Sequence, residues 1–251
     1  MKSWLSVPYS DFNNNEYCGD DAGTVIRNRE ALCDELGIDA ENVIMPHQTH
    51  GTEIRVIGPE FLELGRDSRR MVLEGVDALM TSVRGVCIGV STADCIPVLL
   101  YDSDSHAVCA VHAGWRGTVM RIVQKAVRKM HLVFGANAAN LRAVIGPGIS
   151  LDSFEVGDEV FDSFSEAGFD MQKISSRKDK WHIDLPECNR IQMMESGVVA
   201  DNIYSCGICT YENVADYFSA RRLGTESGRI FNAIYLRQDK GVESYGGSPA
   251  V

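Results

Sequence analysis

Histidine is scarce in this chain. There are six among 251 residues, so any histidine-based metal site has few ligands to choose from. Long apolar runs are absent. No stretch approaches the length of about 18 apolar residues that a membrane-spanning helix needs. Positive charge is in deficit: 24 Lys and Arg stand against 35 Asp and Glu, a formal net charge of −11. That excludes a nucleic-acid binder working through a broad basic face. The opening residues, 1–15, carry no basic region followed by an apolar stretch, so no secretory signal is expected and the chain is read as cytoplasmic. No repeat or low-complexity tract is visible. With 45% hydrophobic and 24% charged residues, the composition excludes disorder, collagen-like repeats and coiled coil. Cysteine, by contrast, is plentiful at eight. In a cytoplasmic chain those thiols are expected reduced, as core residues, metal ligands or catalysts.

The length suits a single domain over residues 1–251. Thr24–Leu36 reads as a helix stopped by Gly37. Short β-like runs follow at Asn42–Pro46, Glu53–Ile57, Asp77–Val83 and Val86–Ser91. The charged excursion Gly58–Gly75 reads as loose. Ile96–Tyr101 and Ala107–His112 flank a polar turn and predict a hairpin. Thr118–Phe134 has apolar positions at helical spacing. Further on, Leu141–Ile145, Asn202–Ser205 and Arg229–Leu236 predict strands. Glu155–Ala167, Pro186–Ser196 and Tyr211–Ala220 predict helices. The polar tail after Leu236 is expected to fray. Mixed strands and helices throughout predict an α/β (α+β) fold, a mixed β-sheet flanked by helices.

The hairpin carries the chemical signal. A turn centred near Asp104 places Cys95 opposite His112, about 5 Å apart at Cβ. A thiolate and an imidazole at that distance can share one metal ion. After His112 come Ala113-Gly114-Trp115-Arg116-Gly117, small residues that allow close approach, and then a helix start. Its N–H groups and Arg116 suit an anion such as phosphate. A third ligand is expected from His50 or its rival His47, in the segment His47-Gln48-Thr49-His50-Gly51. Two His and one Cys leave an open position, the catalytic form of a zinc site.

Other motifs are weaker. Cys206-Gly207-Ile208-Cys209 is a lone CxxC and reads as ordinary thiols. Gly146-Pro147-Gly148 lacks the lysine of a phosphate loop and reads as a turn. Arg221-Arg222 reads as a helix cap or an anion clamp. Asp94 is a candidate for proton transfer beside Cys95.

The segments Ser91-Thr-Ala-Asp-Cys-Ile-Pro-Val-Leu-Leu100 and Val111-His-Ala-Gly-Trp-Arg-Gly-Thr118 resemble the signatures of the laccase-domain, or YfiH-like, family. That group is also called polyphenol oxidase or multifunctional purine nucleoside phosphorylase. Gly19-Asp20-Asp21, Asn28-Arg29, Gln48-Thr49-His50-Gly51-Thr52, Ile145–Ile149, Phe154–Gly157, Asn189-Arg190 and Phe218–Arg222 extend the resemblance in order. The resemblance implies zinc held by His50, Cys95 and His112, with His47 a pocket residue. It also implies a cytosolic enzyme, monomer or homodimer, that splits purine nucleosides with phosphate and deaminates adenosine. Catalytic roles then fall to Cys95, Asp94 and His112. Substrate and phosphate contacts fall to His47, Gln48, Arg29, Arg116, Arg221 and Arg222. The alternatives carried with the family are a copper-dependent polyphenol oxidase and a peptidoglycan-editing factor. The copper reading sits poorly with six histidines and no His-x-His pair. Two stretches depart from the family pattern. Asn13-Asn14-Asn15 stands where Asn-Leu-Gly is usual, and Cys209-Thr-Tyr-Glu-Asn-Val214 replaces a Cys-Thr-Tyr-Cys/Ser-Asn-Pro stretch.

Overall fold

The computed structural model describes Tyr9 and residues 12–238; the tail from residue 239, part of the segment expected to fray, lies outside the described residues. Helix α1 (Ala22–Leu36) starts where Asp21 accepts from the Thr24 N–H, and Gly37 closes it in the left-handed conformation. Both are ordinary cap chemistry. Strands β1 (Val43–Ile44) and β2 (Ile54–Val56) follow. The excursion Gly58–Gly75 is not loose. It holds α2 (Pro59–Leu62) and α3 (Arg66–Leu73), whose Phe61 and Leu73 are buried. The Arg69 guanidinium donates to the carbonyls of Leu62, Leu64 and Glu41 and ties the segment down.

Strands β3 (Ala78–Thr81), β4 (Cys87–Thr92), β5 (Ile96–Asp102) and β6 (Ala107–Ala113) lie where the apolar runs predict them. The single helix expected over Thr118–Phe134 is two: α4 (Trp115–Val119) and α5 (Ile122–Phe134). Arg121 breaks them with a left-handed φ of 62°. Its guanidinium lies over the Phe169 ring and donates to the Ala167 carbonyl, which holds the break. Strand β7 (Arg142–Ile145) precedes β8 (Glu155–Val156) and α6 (Asp158–Glu166). The helix expected from Glu155 therefore begins later, because Glu155 and Val156 pair with a strand instead. Then come α7 (Met171–Ile174), β9 (Ser175–Arg177), β10 (Trp181–Ile183), α8 (Leu185–Glu195) and β11 (Ile203–Ser205). The helix expected over Tyr211–Ala220 does not form. Asn213 turns back on the Cys209 carbonyl through its backbone and side-chain N–H groups, the local competition that disfavours helix at Asn. Only α9 (Ala220–Leu223) follows, then β12 (Ile230–Tyr235).

Six strands form a mixed sheet in the order β11-β7-β5-β6-β3-β2. A second mixed sheet has the order β1-β4-β12, and β8-β10-β9 form a small antiparallel one. Alternate residues explain the layering. Ala78, Met80, Cys109 and Val111 face a core shared with α5, α6 and α8. Their neighbours Leu79, Val108 and Ala110 face Ile88 and Val90 of β4. The outer face of β4, at Cys87, packs on Cys33 of α1. The fold is thus helices, large sheet, small sheet, helix. Burial on both faces accounts for the near-continuous apolar runs of β5 and β6.

Candidate metal centre

The chain passes from the β1-β4-β12 sheet to the six-stranded one twice: between β1 and β2, and between β4 and β5. His50 lies on the first passage and Cys95 on the second. His112 is the penultimate residue of β6 and is buried. The hairpin pairs Pro97, not Cys95, with His112, and its last pair is Ile96 with Ala113. The expected register is therefore wrong. The turn begins after Asp102, which pairs with Ala107 and takes the Ser105 N–H and hydroxyl on its carboxylate. Cys95 sits just beyond the ladder, diagonal to His112. The ligand atoms of His50, Cys95 and His112 nonetheless lie within 4.8 Å of one another. The two imidazoles meet edge to face, with centroids 4.8 Å apart.

Asp77, which the sequence reading passed over, organises this triad. It is fully buried just before β3. Its Oδ1 lies 2.8 Å from His112 Nδ1. A carboxylate only accepts, so Nδ1 carries a proton and Nε2 is the nitrogen that a metal would take. The same carboxylate accepts from the backbone N–H groups of His50 at 3.0 Å and Gly51 at 2.6 Å. His50 has a left-handed φ of 63°, and this turn aims successive N–H groups at one acceptor. Burial works against the ionised Asp77. The His112 hydrogen bond and charge, with the Gly51 and His50 amides, outweigh it and hold the carboxyl below its usual range. The available signal was a lone acid leading a fully buried strand, Val76-Asp77-Ala78-Leu79-Met80.

Without an ion, burial alone would push the Cys95 thiol up. The His112 charge and the hydrogen bonds of both imidazoles reverse that and bring it down to about 6. His112 moves the other way, to about 9. Burial opposes its charge, but the Cys95 thiolate and Asp77 retain the proton. The core thiols contrast with this: burial pushes Cys87 up to about 12, and Cys109 and Cys188 also rise. All eight cysteines are free thiols.

Two imidazoles and a low thiolate are a donor set for zinc or copper. Gly114 shows that the space over them is needed. A Cβ there would lie 3.0 Å from His50 Cδ2 and 3.1 Å from Cys95 Sγ. The residues present therefore fit a metal ion.

The other expected site residues are spread around this centre. His47 stacks on Tyr17 at 4.3 Å and meets the Glu74 carboxylate at 2.8 Å, outside the triad. The Gln48 amide is spent on β4: it donates to the Ser91 carbonyl and accepts from the Ser91 N–H. Asp94 has an unusual φ of 87°. Its carboxylate accepts from the Thr210 hydroxyl and from the Arg221 backbone N–H, both at 2.7 Å. Arg29 faces Glu16 at 3.7 Å. Arg116 lies over the Trp115 ring at 4.5 Å. The Arg221 and Arg222 side chains donate to the carbonyls of Glu155 and Tyr211. No helix among the described residues is long and apolar enough to cross a membrane.

Residues 3–237 match the family model described as multi-copper polyphenol oxidoreductase laccase. A purine nucleoside phosphorylase from Bacteroides thetaiotaomicron is 45% identical over 233 residues, covering 92% of this chain and 86% of that protein. Adenosine deaminase RL5, from an unknown prokaryotic organism, is 44% identical over 232 residues, covering 91% of this chain and 88% of that protein. The crystal structure of YlmD from Geobacillus stearothermophilus superposes with a TM-score of 0.85 at 29% identity, covering 92% of this chain and 87% of that one.

Proposed function

The chain belongs to the multi-copper polyphenol oxidoreductase laccase family, and from that premise we propose that it is a zinc-dependent enzyme of purine nucleosides. Relatives named purine nucleoside phosphorylase and adenosine deaminase support an enzyme of this kind. The proposed reactions are two. Phosphorolysis converts adenosine, inosine or guanosine and phosphate to free base and ribose 1-phosphate, and methylthioadenosine and phosphate to adenine and methylthioribose 1-phosphate. Hydrolytic deamination converts adenosine to inosine. The setting is the cytoplasm, and the enzyme acts as monomer or homodimer.

The single observation carrying this reading is the solitary His50–Cys95–His112 cluster with Asp77 behind it. Among the described residues no second group of metal-ligating side chains accompanies it. One mononuclear donor set suits Lewis-acid chemistry; reducing oxygen to water with four electrons calls for several coupled centres. Zinc, when bound, supplies Lewis acidity that ionises water near neutral pH. The chain's own residues do the rest. Asp77 fixes the His112 tautomer and the His50 turn. Cys95 holds its proton weakly and so stands ready as a thiolate. Arg221 and Arg222, with Arg116 and Arg29 as further candidates, hold the phosphate against the ribose. Asp94, beside Cys95, is the proposed proton-transfer group. His47 lines the nucleoside pocket, and Gln48 supports it by locking the loop to β4.

The family description itself favours a copper oxidase of phenols, so the test sets the two metals against each other. Zinc-loaded and copper-loaded protein are assayed for phosphate-dependent release of base, for inosine formation and for oxygen uptake on phenols. Zinc-loaded protein should release base and form inosine without consuming oxygen. Activity confined to the copper form, with oxygen uptake and no base release, would refute the nucleoside reading.

A further inference from the structure

We propose that Thr210 is a positioning residue for the metal centre: its hydroxyl pins Asp94, and the pinned Asp94 holds the adjacent ligand Cys95 in place beside His50 and His112. This rests on the ligand set proposed above and goes beyond the proton-transfer role given to Asp94. It does not depend on which reaction the centre serves.

The starting point is a strained residue next to a ligand. Asp94 has a φ of 87°, in the left-handed region that residues with a Cβ adopt only where their surroundings over-determine it. Three donors do so here. The Asp94 carbonyl accepts from the Ile149 N–H at 2.8 Å. Its Oδ1 accepts from the Thr210 hydroxyl and its Oδ2 from the Arg221 backbone N–H, both at 2.7 Å. Thr210 is fully buried and Asp94 nearly so. Water is therefore a poor substitute for either partner, and a short hydroxyl-to-carboxylate bond is among the stronger kinds.

Thr210 is itself fixed to the wall that carries Cys95. Its N–H donates to the Gly148 carbonyl at 3.0 Å, and the Gly148 N–H donates to the Ile208 carbonyl at 3.2 Å. Gly148 in turn lies against the ligand's own peptide. A Cβ there would stand 3.2 Å from the Asp94 carbonyl oxygen and 3.3 Å from that of Cys95, and would run into Ile96 Cδ1. The Gly146-Pro147-Gly148 turn thus lets the Thr210 backbone approach closely enough for its hydroxyl to reach Asp94. Cys95 needs such a hold, because it lies outside the β5–β6 ladder, whose last pair is Ile96 with Ala113. Asp77 already steadies the other two ligands, through the His112 ring and the His50 N–H. Asp94, pinned by Thr210, does the same for the third.

The test measures zinc affinity of the full chain by competition with a chromophoric chelator, for Thr210→Val, Thr210→Ser, Asp94→Ala and Asp94→Asn. The melting temperature of metal-free protein is the folding control. Valine keeps the shape of threonine and drops the donor. Thr210→Val should bind zinc about tenfold more weakly, the lower end of what outer partners contribute, and Thr210→Ser should regain wild-type affinity. Asp94→Asn and Asp94→Ala remove the same charge, so the difference between them reports the bridge. Asn tolerates left-handed backbone, accepts from Arg221 through Oδ1 and donates to the Thr210 hydroxyl through its NH₂; it should bind zinc more tightly than the Ala variant. In cobalt-loaded protein the thiolate-to-cobalt absorption band should shift in Thr210→Val and stay in place in Thr210→Ser, a signature that lost stability alone would not give. Wild-type zinc affinity in Thr210→Val, or an equal loss in Thr210→Val and Thr210→Ser, overturns the inference. Should Thr210→Val fail to fold, equal affinities in the two Asp94 variants overturn it. Zinc affinities in the expected order with no turnover of any nucleoside by wild type uphold the role of Thr210 and sink the activity proposed above.

Discussion

Replacing Asp77 should disable the metal centre from behind, without touching a ligand. Asp77→Ala would orphan one buried donor, His112 Nδ1, and release the partly exposed N–H groups of His50 and Gly51. The buried donor alone costs about 1–3 kcal/mol, a sizeable part of the whole stability of a domain, about 5–15 kcal/mol. Asp77→Asn is the more informative change. If its amide oxygen faces His112, its NH₂ takes the place of Oδ2 and confronts the N–H groups of Gly51 and Thr49. If the NH₂ faces His112, the imidazole must move its proton to Nε2, where the metal would bind. Either arrangement loses the orientation that the carboxylate provides. Substitution of such outer partners weakens metal binding by roughly 10–100-fold, about 1.4–2.7 kcal/mol. Competition against a chromophoric zinc chelator measures it, with the melting temperature of metal-free protein as the folding control. A folded Asp77→Asn protein that binds zinc as tightly as wild type would show that the His112 orientation does not depend on this carboxylate.

Cys95→Ala should strip the ion, and full zinc stoichiometry in that variant by elemental analysis would rule out the assigned ligand. Gly114→Ala should keep the fold but lower zinc affinity, because its methyl group would crowd His50 and Cys95 at 3.0 and 3.1 Å; an unchanged chelator titration contradicts this. Zinc affinity should rise with pH between about 6 and 9, where the metal-free site holds a Cys95 thiolate and a protonated His112. Binding must expel the His112 proton, so calorimetry in buffers of different ionisation enthalpy should find about one proton released per ion in that window and more below it. Arg222→Ala should keep the metal and raise the KM for phosphate about tenfold or more through the lost charge-assisted bond; an unaltered KM moves that role to Arg221 or Arg116.

The parts of the molecule that were legible in the sequence are those where one physical signal dominates. Strands β5 and β6 are buried on both faces, so their apolar runs stand out, and α1 carries its own caps. His50, Cys95 and His112 were legible as a set because histidine is rare and the flanking segments resemble a known family. Asp77 was not, because its importance lies in pointing at residues 27 and 35 positions away. The α2–α3 region read as loose because Arg69 ties it down through carbonyls, which leave no trace in hydrophobic periodicity. Arg121 interrupts a helix whose apolar spacing continues across the break. Asn213 keeps another from forming through bonds to the Cys209 carbonyl of its own loop. The hairpin register failed for a smaller reason: the turn begins after Asp102, and Cys95 lies past the final pair.

His50 and Cys95 each sit where the chain crosses from one sheet to the other, and His112 lies on the larger sheet. In polymer terms, an ion at that seam closes a loop of roughly 45 residues between the first two ligands and another of roughly 17 between the last two, as a covalent crosslink would. A melted chain that kept these closures would have fewer configurations to gain. An ion bound there would work as a rivet at the seam between the sheets, which could not part there without releasing it. Heat resistance and metal content should then rise and fall together across any series of variants at this seam.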